Sequence, residues 1–179
     1  MRISAEAPVG RARPPWATLG AMSSAQTLLE RRIESPDPAA TSALGLALAG
    51  AARPGDLICL WGDLGAGKTH LAKAIGAGLG VTDTIASPSY ILMAEYAGRL
   101  PLFHLDLYRL ADATDVYAGG LIDDRQASGV TVVEWPDRMA SMLPAERLDV
   151  IIDGAGDAPR TITVRAGTPE LQRYLDVIP

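Results

Sequence analysis

No asparagine occurs anywhere in this 179-residue chain, and cysteine, phenylalanine, histidine and lysine are nearly as scarce. The single Cys59 excludes an internal disulfide and a cysteine-based zinc cluster, and it fits a reducing, cytoplasmic compartment. With His70 and His104 as the only histidines, a histidine-rich metal site is excluded as well. Lysine is confined to Lys68 and Lys73; the other positive charges are arginines. No apolar run approaches a bilayer's thickness, so no membrane span is expected. A net charge of −5 argues against a broad electrostatic footprint for DNA or RNA. The missing asparagine also closes one route to guanine selectivity, the N-K-x-D reader of GTPases.

What is present describes an ordinary globule, 48% hydrophobic and 21% charged. The length suits one domain with a real core. Residues 1–25 read as a disordered tail: Pro14-Pro15, small residues and scattered arginines carry no helical or strand period. No apolar stretch follows the early arginines, so a secretory signal is not expected, and Met22 offers an alternative start. Residues 26–179 form the expected single domain. A chain beginning at Met22 is expected to bind its ligand as the full chain does.

Along that domain, Thr27 to Ile33 predicts an edge strand. Ser35-Pro36-Asp37 starts a helix that continues to about Ala52, where Pro54-Gly55 stops it. Strand Leu57–Trp61 and helix Lys68–Leu79 follow, with Gly80 as the cap. Ser87-Pro88-Ser89 interrupts the chain before strand Tyr90–Tyr96, which the short Ala97-Gly98 link pairs with strand Leu100–Leu105. A broken helical region spans Asp112–Ala127, and Val130–Val133 is a further strand. Arg147–Asp153 and Arg160–Arg165 make a second hairpin, and Thr168-Pro169-Glu170 caps a short last helix. Parallel central strands extended by antiparallel hairpins predict a mixed sheet covered by helices.

The decisive stretch is Gly62-Asp63-Leu64-Gly65-Ala66-Gly67-Lys68-Thr69, which lies between the apolar strand and the following helix. This is G-x-x-x-x-G-K-T in the strand–loop–helix setting of a phosphate-binding loop. Glycines let successive backbone N–H groups turn toward one anion, and the helix presents its positive dipole end there. Lys68 can reach the outer phosphates, and the Thr69 hydroxyl can join a magnesium shell. A nucleoside triphosphate is the expected ligand.

Such a site needs carboxylates at neighbouring strand ends. Asp106 ends Leu102-Phe103-His104-Leu105, and Glu134 ends Val130-Thr131-Val132-Val133. Asp63 either orients water at the outer phosphate or decorates the turn. His104 alternates with Asp106 and so shares its face of the strand; a packed core histidine is the commoner outcome there than a catalyst. Arg109 reads equally as a phosphate contact, a partner contact or an ion pair with Asp106. Trp135 is either a core plug or a partner contact.

At these residues the sequence resembles the bacterial TsaE family, the small ATPases of tRNA threonylcarbamoyladenosine biosynthesis. The matching segments are the phosphate loop, Ser87-Pro88-Ser89-Tyr90, His104-Leu105-Asp106-Leu107-Tyr108-Arg109 and Glu134-Trp135-Pro136-Asp137-Arg138. The resemblance covers roughly Ser35 to Arg165 and implies a P-loop NTPase-like three-layer α/β sandwich that takes ATP and Mg2+. It implies ATP hydrolysis in support of threonylcarbamoyl transfer to the adenosine beside the anticodon. The implied partners are a transferase subunit of the sugar-kinase-like fold and its paralogue, with tRNA reached only through that complex.

Residue by residue, the resemblance places Gly62 to Thr69 around the nucleotide, Lys68 on the outer phosphates, and Thr69 and Glu134 on the metal. Asp106 falls on an acid needed for hydrolysis, near the same metal. Ser87 to Tyr90 falls on a mobile segment likened to a GTPase switch, and Thr41 is a family-guided adenine contact. His70 departs from the family's second threonine, which affects a minor nucleotide contact. Ser89, Tyr90 and Asp137 vary the family pattern without removing a chemical role. A small-molecule phosphotransferase with the same loop is the rival reading, but it needs an arginine-bearing lid, and the Arg109–Arg125 region is too sparse to supply one.

Overall fold

The computed structural model describes residues 29–110 and 121–178. The expected tail, the first residues of the predicted edge strand and residues 112–120 of the predicted helical region lie outside the described residues. Seven strands form one sheet: β1 (Leu29–Ser35), β2 (Asp56–Trp61), β3 (Met93–Tyr96), β4 (Leu102–Asp106), β5 (Val130–Glu134), β6 (Leu148–Asp153) and β7 (Arg160–Ala166). Their order is β1-β7-β6-β2-β5-β4-β3. Strands β6, β2, β5 and β4 run parallel, and antiparallel β3 and β7 extend them, with β1 at the far edge against β7. This is the mixed, P-loop NTPase-like sheet that the sequence predicts.

The parallel centre is apolar because it is covered on both faces. Ile58 and Leu60 of β2, Val130 and Val132 of β5, and Leu148, Val150 and Ile152 of β6 face α1 (Pro38–Ala51) and α2 (Lys68–Gly78). Leu44 and Leu48 of α1 and Leu71 and Ile75 of α2 fill that layer. The two helices lie close together: a Cβ on Gly45 would sit 2.5 Å from the Ala74 Cβ, so only glycine allows this crossing. On the opposite face Phe103, Leu105 and Val133 pack under Met139, from the 3₁₀ segment Pro136–Met142. β1, by contrast, shows solvent three successive charged side chains, Glu30, Arg31 and Arg32, as a protected edge does.

Asp37 caps α1 as expected, its carboxylate accepting the Ala40 N–H at 2.8 Å. Several boundaries differ from the sequence reading. Tyr90 and Ile91 are not in β3, because Pro88 starts a tight turn whose carbonyl accepts the N–H groups of Ile91 and Leu92, and Leu92 is left-handed at φ 63. β4 begins at Leu102, since Pro101 has no N–H to give the ladder. Asp124–Ser128 is 3₁₀, started by a capping box in which Asp123 and Gln126 satisfy each other's backbone. Thr168 contributes no side-chain cap; Pro169–Leu171 is a 3₁₀ turn running into α3 (Gln172–Asp176).

Alternation along β4 and β5 matters most for function. Leu102, His104 and Asp106 share one face, as do Val130, Val132 and Glu134, and it is the face that carries the phosphate loop. Parallel register sets Leu60 opposite Glu134, and Glu134 opposite Asp106. Both acids therefore emerge side by side at the carboxyl ends of central strands, where open α/β sheets bind ligands.

Candidate nucleotide site

The loop between β2 and α2 depends on glycine. Gly62, Gly65 and Gly67 all have positive φ. A Cβ on Gly62 would meet the Ile152 carbonyl oxygen at 2.5 Å, so β6 pins the start of the loop against any larger residue. Gly67 is the N-cap of α2 and makes no side-chain cap, which leaves the first helical N–H groups free to receive an anion.

Lys68 is almost fully buried, and its ammonium donates to the carbonyls of Gly62 at 2.7 Å and Asp63 at 2.9 Å. It also lies 3.6 Å from the centre of the Trp135 ring. Burial pulls its pKa below the usual lysine range, and the carboxylates of Glu134, Asp106, Asp63 and Asp137 oppose that pull. The Thr69 hydroxyl donates to Glu134 Oε2 at 2.8 Å. His104 Nε2 lies 2.8 Å from the other oxygen, Oε1. Asp106 accepts from the Ser87 hydroxyl at Oδ2 and from the Tyr108 N–H at Oδ1, the latter at 3.0 Å.

These groups share a cleft of about 420 Å³ lined by Lys68, Thr69, Ser87, Asp106, Glu134 and Trp135 among others. A second cleft of about 360 Å³ lies on the other side of the loop. Thr41 lines it beside Ala66 and Arg160, and Gly67 and His70 belong to both. The structure thus brings together Lys68, Thr69, Asp106 and Glu134, and places Thr41 across the loop from them. Thr41 bonds the Ser35 hydroxyl at 2.7 Å, while His70 Nε2 sits 2.9 Å from both Ser42 Oγ and the Pro38 carbonyl. The Asp63 side chain is exposed at the turn, and Leu64 is 73% exposed at the cleft mouth.

Geometry bears on two of the open alternatives. Trp135, left-handed at φ 60, is neither buried plug nor free surface: it walls the cleft between Lys68 and Tyr108, whose ring centre is 4.9 Å away. Arg109 stacks on Tyr90 at 4.4 Å instead of pairing with Asp106.

The family comparison agrees with this arrangement. The family model described as "Threonylcarbamoyl adenosine biosynthesis protein TsaE" matches residues 35–162. The chain belongs to the TsaE family. The tRNA threonylcarbamoyladenosine biosynthesis protein TsaE of Bacillus subtilis is 42% identical over 131 residues, covering 73% of this chain and 82% of its own. Its namesake from Treponema pallidum is 41% identical over 110 residues, 62% of this chain and 82% of its own. The crystal structure of Bacillus subtilis YdiB superposes with a TM-score of 0.71 at 32% identity, covering 86% of this chain and 97% of that one. The likeness to these relatives thus extends over most of the chain and to its overall fold.

One participant had no signal in the sequence. Arg160, at the start of β7, donates from Nε to the Ala66 carbonyl at 2.9 Å and from Nη2 to the Gly156 carbonyl at 2.7 Å. It ties the β6–β7 hairpin to the phosphate loop through a loop carbonyl. Arg160→Ala is expected to weaken triphosphate binding roughly tenfold, the loss of about one charge-assisted bond. Calorimetric titration with ATP checks it, and an unchanged affinity would show that the loop holds its shape unaided.

Proposed function

We propose that this TsaE family protein binds ATP with Mg2+ and hydrolyses it to support threonylcarbamoyl transfer to the adenosine beside the anticodon of tRNA. The observation that carries this reading is the Thr69–Glu134 hydrogen bond at the mouth of the phosphate loop. By giving its proton to Glu134, the threonine hydroxyl keeps a lone pair directed outward, which suits a hard divalent cation. The described residues hold no group of three His, Cys, Asp or Glu placed to ligate a metal on their own. Such a site suits a cation that arrives with phosphate oxygens as its main ligands, as Mg2+ does with ATP. Thr69 and Glu134 would hold that ion, with Asp106 beside them; its chemistry there is to offset charge on the phosphate oxygens.

The chain's own groups divide the remaining work. Free N–H groups at the start of α2 receive the phosphates, and Lys68 turns from the loop carbonyls toward the outer ones. Asp106 orients the attacking water and accepts its proton. The nucleoside occupies the second cleft, beside Thr41 and His70. Without asparagine the chain lacks the N-K-x-D guanine reader, which favours ATP over GTP.

The partners in this reading are a transferase of the sugar-kinase-like fold and its paralogue. At net charge −5 the chain has little with which to neutralise tRNA phosphates, and those contacts dominate such affinities. The isolated protein is therefore expected to hydrolyse ATP slowly and to bind tRNA weakly near physiological salt. Added to the transferase pair, it should make tRNA modification depend on ATP hydrolysis. Phosphate release and modified-nucleoside yield, each measured with and without the partners, test this directly. Sub-micromolar tRNA binding by the isolated chain, or full multiple-turnover modification without it, would overturn the assignment.

A further inference from the structure

His104 has no exposed surface, and its two ring nitrogens have opposite fates. Nε2 lies 2.8 Å from Glu134 Oε1, whereas Nδ1 is buried with no hydrogen-bond partner. A proton on Nδ1 would be a buried donor without an acceptor, so the ring's proton sits on Nε2 and is donated to Glu134. The bare Nδ1 lone pair is a standing cost, and leucine or methionine would fill the space without it. What the imidazole supplies that an apolar side chain cannot is the bond to Glu134.

We propose that His104 is a positioning residue that locks the Glu134 carboxylate in the orientation needed to hold the nucleotide's divalent cation. Glu134 is gripped at both oxygens, by Thr69 at Oε2 and by His104 at Oε1. Two donors on one carboxylate fix its plane as well as its position. With Oε1 satisfied from inside the sheet, Oε2 is left to serve the Thr69 side, where the cation would sit. Without the imidazole, the glutamate would be free to rotate away from Thr69. His104 itself is sealed from the cleft, so it acts through Glu134 and touches neither phosphate nor water. This inference rests on the Mg2+–ATP reading above and deepens it.

The test uses the full chain with Mn2+ as a spectroscopic probe. Mn2+ affinity in the presence of ADP is read by electron paramagnetic resonance, and metal-free ADP affinity by calorimetry with EDTA. His104→Leu is expected to weaken Mn2+ binding by about 10–100-fold, the usual cost of losing an outer-shell partner, with metal-free ADP affinity unchanged. His104→Gln, whose amide can donate from nearly the position of Nε2, should recover most of the metal affinity. Should the leucine variant fail to fold, His104→Asn replaces it, since its amide is too short to reach Glu134. Parent-like Mn2+ affinity in the leucine or asparagine variant would overturn the role, as would an equal loss of metal-free ADP binding or failure of the glutamine to rescue. A parent protein that bound no Mn2+ alongside ADP would instead sink the ATPase reading itself.

Discussion

Lys68→Ala is expected to abolish tight ATP binding while leaving the fold intact. Its ammonium is the only lysine charge in the cleft, and it already lies against the loop, 2.7 Å from the Gly62 carbonyl. Turning it to a triphosphate exchanges two neutral carbonyls for anionic oxygens, the stronger kind of hydrogen bond. Removing it should cost roughly 100-fold in affinity or more, about 2.7 kcal/mol. The structural loss is confined to those two carbonyl bonds and the stacking on Trp135, so the melting temperature should move little. Calorimetry showing parent affinity would end the assignment of this loop.

The same substitution has a proton signature. Burial lowers the Lys68 pKa in the free protein, so its charge is present at low pH and lost as pH rises through that lowered value. Phosphate binds the charged form and favours it. ATP binding at a pH above that lowered value should therefore take up protons, which calorimetry in buffers of different ionisation enthalpy resolves. Lys68→Ala should lose that lysine-dependent uptake.

The phosphate loop was legible because its chemistry is local: eight consecutive residues carry the spacing, and an apolar strand precedes them. Asp106 and Glu134 were legible for a related reason, since each closes an apolar run and parallel strands end together. Contacts across the fold were not. Arg160 reaches Ala66 only because β7 lies beside β6 and β6 beside β2, an order that no periodicity encodes. The Ser87–Asp106 and His104–Glu134 bonds likewise depend on loop path and sheet register. The turn at Tyr90 shows the converse failure. Its aromatic and β-branched residues suggest a strand, but Pro88 folds the segment outward and leaves Tyr90 84% exposed.

The two acids should separate when each is removed, because the structure bonds them to different things. Glu134 is joined to Thr69, and Glu134→Ala is therefore expected to weaken Mg2+-dependent ATP binding by about 10–100-fold, with hydrolysis falling as a consequence. Asp106 lies one strand further from the loop, opposite Glu134 in register, and makes no bond to Thr69. Its oxygens are held by the Ser87 hydroxyl and the Tyr108 N–H, which fix a carboxylate at the cleft wall without occupying it fully, since each oxygen has a second lone pair. That geometry suits a group that orients water and takes its proton, a contribution worth about 10²–10⁴-fold in rate. Asp106→Ala should consequently bind ATP and Mg2+ nearly as the parent does and lose most of its turnover. Single-turnover phosphate release combined with nucleotide titration distinguishes the two losses. If both variants hydrolysed ATP at the parent rate, neither acid would belong to the chemistry, and the strand ends would be ordinary solvated carboxylates.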